Sequence, residues 1–238
     1  MRAEPTWHRP TSIHPTASVG ADVRIGRGAR VGAHAVVAPG VRIGPEALVA
    51  PSAVVEWDVP ALAVVHGSPA RVRSYRHDRY VDPASPLCER HGVGVALGGA
   101  ATPGWVRRLA QVGQARGTLT HAHVGAGLPF TVRRVMVVRD VPAGGHRGDH
   151  GHRTLHELLI CVAGSCDVLL DDGLGCRVVV HLADPSVTAY VAPAVWTAQF
   201  NHSPDAVLVI LASAPYDPGD YIDDYDAFVA FARTTTSS

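Results

Sequence analysis

The 238-residue chain contains no lysine; its 21 residues counted as Lys or Arg are all arginine. That absence removes Schiff-base chemistry, pyridoxal phosphate attachment and a P-loop lysine, and it leaves arginine to grip any anion. Excess charge of either sign is also missing, because 21 acids balance the arginines. Residues 1–82 carry ten arginines against seven acids, and 83–238 carry eleven against fourteen. Neither half has the basic excess of a nucleic-acid binder. Cysteine is scarce. Cys88, Cys161, Cys166 and Cys176 form no CxxC pair, and three lie in or beside strand-like runs. Free thiols in a reducing, cytoplasmic compartment are therefore expected rather than disulfides or a zinc site. The first residues, MRAEPTWHRP, lack an apolar signal core, and no uncharged apolar run is long enough to span a bilayer, so no membrane partner is expected.

What the chain does have is a core-forming composition, 47% hydrophobic, and two kinds of periodicity. Ile13, Val19, Ile25, Val31, Val37, Ile43, Val49 and Val55 stand at a constant spacing of six, with small residues, Pro and Gly between them. One inward aliphatic per hexad is the signature of a left-handed parallel β-helix, three hexads to a coil. Two to three coils bury little alone, so caps or self-association, as a trimer, are expected. Residues 83–108 lose this period and read as a connector; within them Cys88, Glu89, Arg90 and His91 form too small a cluster for a metal site. From 109 to 238, alternating runs such as TVRRVMVVRDV, LHELLICVAG and CRVVVHL predict an antiparallel sandwich or barrel, and YIDDYDAFVAFAR predicts a terminal helix. The expected class is all-β.

Within the second region, Gly144-x5-His150-x-His152-x4-Glu157-x6-Gly164 is the informative motif. In a strand, His150 and His152 point to one face while Gly151 and Arg153 point to the other, so two imidazoles converge on one interior. The spacing resembles the first motif of the cupin β-barrels. More fully, ARGTLT, LPFTVRRV, RGDHGH, LICVAGS, LLDDG, AYVAPAVW, ILAS and DYIDDYDAF, in that order from Gly113 to Phe231, resemble the WxcM-like family of sugar-nucleotide 3,4-ketoisomerases.

That resemblance implies conversion of a dTDP-linked 4-keto-6-deoxyhexose to its 3-keto isomer without a cofactor. It implies His150 and His152 as the acid–base pair, a role imidazole suits near neutral pH. Arg134, Arg147 and Arg116 match family arginines and are candidates for the nucleotide diphosphate, since Arg meets phosphate bidentately. Tyr190 is a candidate stacking group, and Glu157 a further binding residue. This chain has Met136 and Val137 where members commonly have tyrosines, Glu157 where Gln is common, Asp223 where Arg stands, and Thr197 where some have His. Glu157 opens a rival reading, a metal-dependent cupin ligated by His150, His152 and Glu157, although a second-motif histidine is missing near Ala198.

Residues 10–76, including IHPTASVGADVRIG and the closing Gly67-Ser68-Pro69-Ala70, resemble hexapeptide acyltransferases that modify sugars. This second resemblance implies acyl-CoA as a possible donor, with His34 as the candidate base. A noncatalytic oligomeric scaffold is the third reading. Trimers of the first domain and dimers of the second would close a homo-hexamer.

Overall fold

A computed structural model describes residues 10–77, 79–81, 105–125 and 127–236. The chain divides into two compact units, Met1–Arg76 with Gly144–Asp149, and His77–Ala143 with His150–Ser238.

In the first unit each hexad forms a two-residue strand, from Ser12–Ile13 to Val54–Val55. Parallel pairing at a spacing of 18, as in Ser12 with Arg30 and Arg30 with Leu48, stacks the hexads into a three-faced β-solenoid. The periodic aliphatics line its inside: Val31, Val37, Ile43, Val49 and Val55 are buried, while Ile13, on the open first coil, is 47% exposed. Close stacking of coils explains glycine at the corners. A Cβ on Gly32 would lie 2.6 Å from Pro51 N and 2.9 Å from Val49 O, both backbone atoms of the next coil. Gly32→Ala is therefore expected to destabilise this unit by about 1–3 kcal/mol, the usual cost of overpacking. Gly113→Ala, where a Cβ meets nothing within 4 Å, is the neutral control. Chemical denaturation of both variants checks this, and equal midpoints would refute it.

The solenoid ends in an antiparallel hairpin, Ala63–Gly67 with Ala70–Tyr75. Segment Gly144–Asp149 belongs to this unit. Gly144, at φ 74°, lies against Arg71, whose Cβ would be 2.6 Å from an added Cβ. Tyr75 donates to Asp149 Oδ1 at 2.5 Å, and His146 Nε2 lies 3.2 Å from Asp149 Oδ2. Burial pushes the Asp149 carboxyl up to about 7, against the opposing effect of the Tyr75 hydrogen bond.

The second unit has strands β1 (Arg79–Val81), β2 (Trp105–Arg108), β3 (Arg134–Val138), β4 (Arg147–His152, in this unit from His150), β5 (Glu157–Ala163), β6 (Cys166–Asp171), β7 (Arg177–Leu182), β8 (Val187–Val191), β9 (Trp196–Phe200), β10 (Val207–Ala212) and β11 (Tyr221–Ile222), then helix α1 (Tyr225–Thr236). They form one sheet in the order β1-β7-β6-β9-β4-β11 and another in the order β2-β8-β5-β10-β3. Leu158, Val168, Leu170, Val180, Val191 and Leu208 belong to one buried cluster, as the alternating runs predict for a cupin-type barrel. Strands β1 and β2 bracket most of the stretch read as a connector, and β2 lies inside it; Cys88–His91 falls outside the described residues. The terminal helix is shorter than the amphipathic pattern suggests. Tyr221 and Ile222 pair with β4 instead, and Asp224 Oδ1 accepts from Ala227 N to start α1 at Tyr225. Among the described residues no helix is long and apolar enough to cross a membrane.

Candidate active site

Strand β4 delivers the two histidines. Gly151 between them faces α1 so closely that a Cβ would meet Phe228 Cδ2 at 2.6 Å, and the period-two geometry sends His150 and His152 the opposite way. Their rings meet edge-on at 4.8 Å. Pairing of His152 with Tyr221 brings that phenol ring to 4.8 Å from His150 and 4.4 Å from His152. The other sheet contributes a cross-strand row: Val191 on β8, Glu157 on β5, Ala212 on β10 and Arg134 on β3. Ala212, a single methyl, separates Arg134 from Glu157, so the long guanidinium side chain can act on the carboxyl over it.

His152 is fully buried. Its Nδ1 lies 3.0 Å from Asp220 Oδ2. Asp220 Oδ1 accepts from Thr154 N and Oγ1, both at 2.7 Å, and Oδ2 accepts from Leu155 N at 3.2 Å. Burial raises the Asp220 carboxyl, but the Thr154 and Leu155 hydrogen bonds and nearby His152 outweigh it, and its pKa falls below the ordinary value. An ionised Asp220 can only accept, so His152 Nδ1 carries the proton and Nε2 presents its lone pair. That Nε2 is buried with no hydrogen-bond partner. Burial, then His150, lowers the His152 pKa to about 4; Asp220 opposes this, and Arg134 adds a smaller lowering. The ring is a neutral base at physiological pH.

Glu157 Oε1 stands 3.9 Å from that Nε2, too far for a hydrogen bond. Burial lifts the Glu157 carboxyl to about 7, opposed by Arg134 and reinforced by Asp220. With His152 neutral, the contact is not an ion pair. Arg134 Nη1 is also buried without a partner, while the guanidinium lies 5.2 Å over the exposed Tyr216 ring. A cleft lined by Arg134, Thr154, Leu155, Pro215, Asp220 and Tyr221 adjoins these groups. Unmet polar atoms with shifted pKa values beside a cleft mark a place where a ligand completes the hydrogen bonding.

Ligand atoms of His150, His152 and Glu157 lie within 4.8 Å of one another. They do not suit a divalent cation well, because Arg134 already places a positive charge on both Glu157 and His152.

The remaining sequence candidates sit as follows. Arg147 is exposed at the start of β4, where left-handed Gly148 (φ 80°) and Asp149 (φ 60°) interrupt the strand's alternation. Arg116 is exposed in the turn between Ala110–Gln114 and Gly117–His121. Tyr190 is buried; its hydroxyl lies 2.5 Å from His156 Nδ1, with the two rings stacked at 14°. His34 is exposed on a solenoid turn at φ 57°, its NH donating to Thr16 Oγ1. Met136 packs on the barrel core and Val137 is 57% exposed, so neither supplies an acid. Sequence reasoning missed Asp220, Tyr221 and Tyr216. Their signal was Asp217-Pro218-Gly219-Asp220, a turn signature in which Asp217 Oδ1 accepts from Gly219 N and aims Asp220 at β4.

The chain is similar to known proteins in both of its regions. Residues 22–56 match the bacterial transferase hexapeptide (six repeats) family. The TDP-4-oxo-6-deoxy-alpha-D-glucose-3,4-oxoisomerase of Aneurinibacillus thermoaerophilus is 41% identical over 113 residues, covering 48% of this chain and 81% of that protein. The QdtA 3,4-ketoisomerase of Thermoanaerobacterium thermosaccharolyticum, solved as a histidine-to-asparagine variant with TDP-4-keto-6-deoxyglucose, is 32% identical with a TM-score of 0.53, over 55% of this chain and 94% of that one. The WlaRB TDP-quinovose 3,4-ketoisomerase of Campylobacter jejuni is 32% identical with a TM-score of 0.51, over 53% and 97%. The WxcM-like, C-terminal family matches residues 105–233, more than half of the chain, and this protein belongs to that family.

Proposed function

We propose that the second unit isomerises a TDP-linked 4-keto-6-deoxyhexose to the 3-keto sugar, with His152 as the base that acts on carbon. The observation that carries this role is the Asp220–His152 pair, which leaves a buried, unpartnered Nε2 beside Arg134. The C4 ketone acidifies the hydrogen on C3. Nε2 removes it as a proton, the C–H electron pair becomes the C3–C4 double bond, and the C4 oxygen gains a proton. Return of a proton to C4 and loss of the O3 proton complete the isomer, so no electrons leave the sugar. His150 flanks the base on the same face. Arg134, whose buried Nη1 has no hydrogen-bond partner, meets the diphosphate, and Arg147 and Arg116 are the further candidates that the sequence offers.

Proton NMR of the chelator-treated protein with TDP-4-keto-6-deoxyglucose in D2O tests the reading. The expected result is a 3-keto product carrying deuterium at C4, at the rate of untreated protein. Turnover that returns only with iron, manganese or zinc would replace it with the metal-dependent reading.

Two further proposals concern the rest of the chain. The hairpin Ala110–His121 pairs with no other strand among the described residues and exposes Val112 and Leu119, apolar surface that a homo-oligomer would cover; sedimentation of Leu119→Glu against the parent reads this. Acyl transfer from acyl-CoA by the first unit, with His34 as base, is supported by the hexapeptide match. Acyl-CoA consumption by the full chain with an amino-sugar nucleotide tests it.

A further inference from the structure

We infer that Glu157 is a second catalytic acid–base, carrying the proton from O3 to O4 while His152 serves carbon. This rests on the isomerase reading above. The reaction needs two proton paths, one between carbons and one between the neighbouring oxygens. A group serving the second must donate to one oxygen and accept from the other within a single site. A carboxyl group does this from one edge, since its protonated form has both an O–H donor and an acceptor oxygen.

Glu157 is the carboxyl placed for the task. It is 4% exposed, on the sheet facing β4, with Oε1 3.9 Å from the base nitrogen, so the two groups stand side by side and one sugar can meet both. Met136 and Val137 on β3 supply no phenol in its place. The groups around it are His150 and His152 on β4, Arg134 on β3 and Asp220 from the loop leading into β11; Tyr221, the first residue of β11, packs its ring on both histidines. In balance, the Glu157 O–H gives its proton to O4 as the C3–H pair moves into the C3–C4 bond. The O3–H then returns a proton to the carboxylate as the C3 carbonyl forms and C4 is protonated. Glu157 ends as it began.

Because the carboxyl must start protonated, kcat/KM is expected to fall above about pH 7, where Glu157 ionises. Glu157→Gln keeps shape and polarity but cannot exchange the proton. The expected result is a loss in kcat of about 10²-fold or more, TDP affinity and circular dichroism like the parent, and disappearance of the alkaline limb near pH 7. Glu157→Asp should keep that limb at a reduced rate. Parental turnover in the Gln variant, or a loss that leaves the limb in place, overturns the inference. So does Tyr221→Phe abolishing the limb while Glu157→Gln retains it. A parent protein with no isomerase turnover would overturn the function itself, and this inference with it.

Discussion

His152→Asn is expected to lower isomerase turnover by about 10³-fold or more, within the range general acid–base catalysis contributes, while the barrel stays folded. Asparagine can still donate its side-chain amide to Asp220, so the local hydrogen bond survives; what it lacks is the basic lone pair that His152 Nε2 presents. His150→Asn should cost less, because the Asp220 contact that fixes a basic lone pair belongs to His152, and His150 is only half-buried. Single-turnover kinetics, with TDP binding and circular dichroism as controls, reads both. Near-parental turnover in His152→Asn would remove the base assignment. The same variant changes the pH dependence of stability. Folding lowers the His152 pKa from 6.5 to about 4. The native state thus binds fewer protons than the unfolded chain between those values, and its contribution is present above about 6.5 and lost as pH falls toward 4. Glu157 acts oppositely: raised from 4.5 to about 7, its contribution is present below about 4.5 and lost as pH rises through 7. Removing His152 should therefore weaken the acid-side loss of stability and leave the alkaline-side loss in place.

The sequence made the periodic parts legible because each residue there reports on its own burial. Ile13 to Val55 at a spacing of six became the eight solenoid strands, and the alternation around His150 and His152 placed both imidazoles on one face. Arg134 and Glu157 were recognised as candidates, yet their meeting was not visible: it depends on β3, β10 and β5 lying side by side and on Ala212 being small. Asp220 was harder still. It lies 68 residues from His152, and the neighbouring acids Asp217, Asp223, Asp224 and Asp226 look alike in composition. A strand pairing that begins at Tyr221 selects one of them. Tyr190 shows the converse, since a matching aromatic in sequence turned out to be stacked on His156 inside the barrel.

Asp220→Asn is the change expected to separate orientation from basicity. Four donors surround the Asp220 carboxylate: Thr154 N and Oγ1 at Oδ1, Leu155 N and His152 Nδ1 at Oδ2. An asparagine must place its amide nitrogen at one end. Turned toward Thr154 it faces a backbone N–H that cannot accept, so the carbonyl keeps the Thr154 pair and the amide turns to His152. There it donates to Nδ1, which moves the ring proton to Nε2 and removes the lone pair needed at carbon. In the worked case of a serine protease, the matching Asp-to-Asn change costs about 10⁴-fold by imposing the wrong tautomer; here a loss of about 10³-fold in kcat is expected, with TDP affinity retained. The displaced donor at Leu155 should also reduce stability by about 1–3 kcal/mol, the cost of an unsatisfied buried polar group. Nitrogen-15 NMR of labelled histidine decides the cause: an Nε2-protonated His152 in Asp220→Asn confirms control of the tautomer, and an Nδ1-protonated ring with parental turnover would show that Asp220 merely anchors the loop before β11.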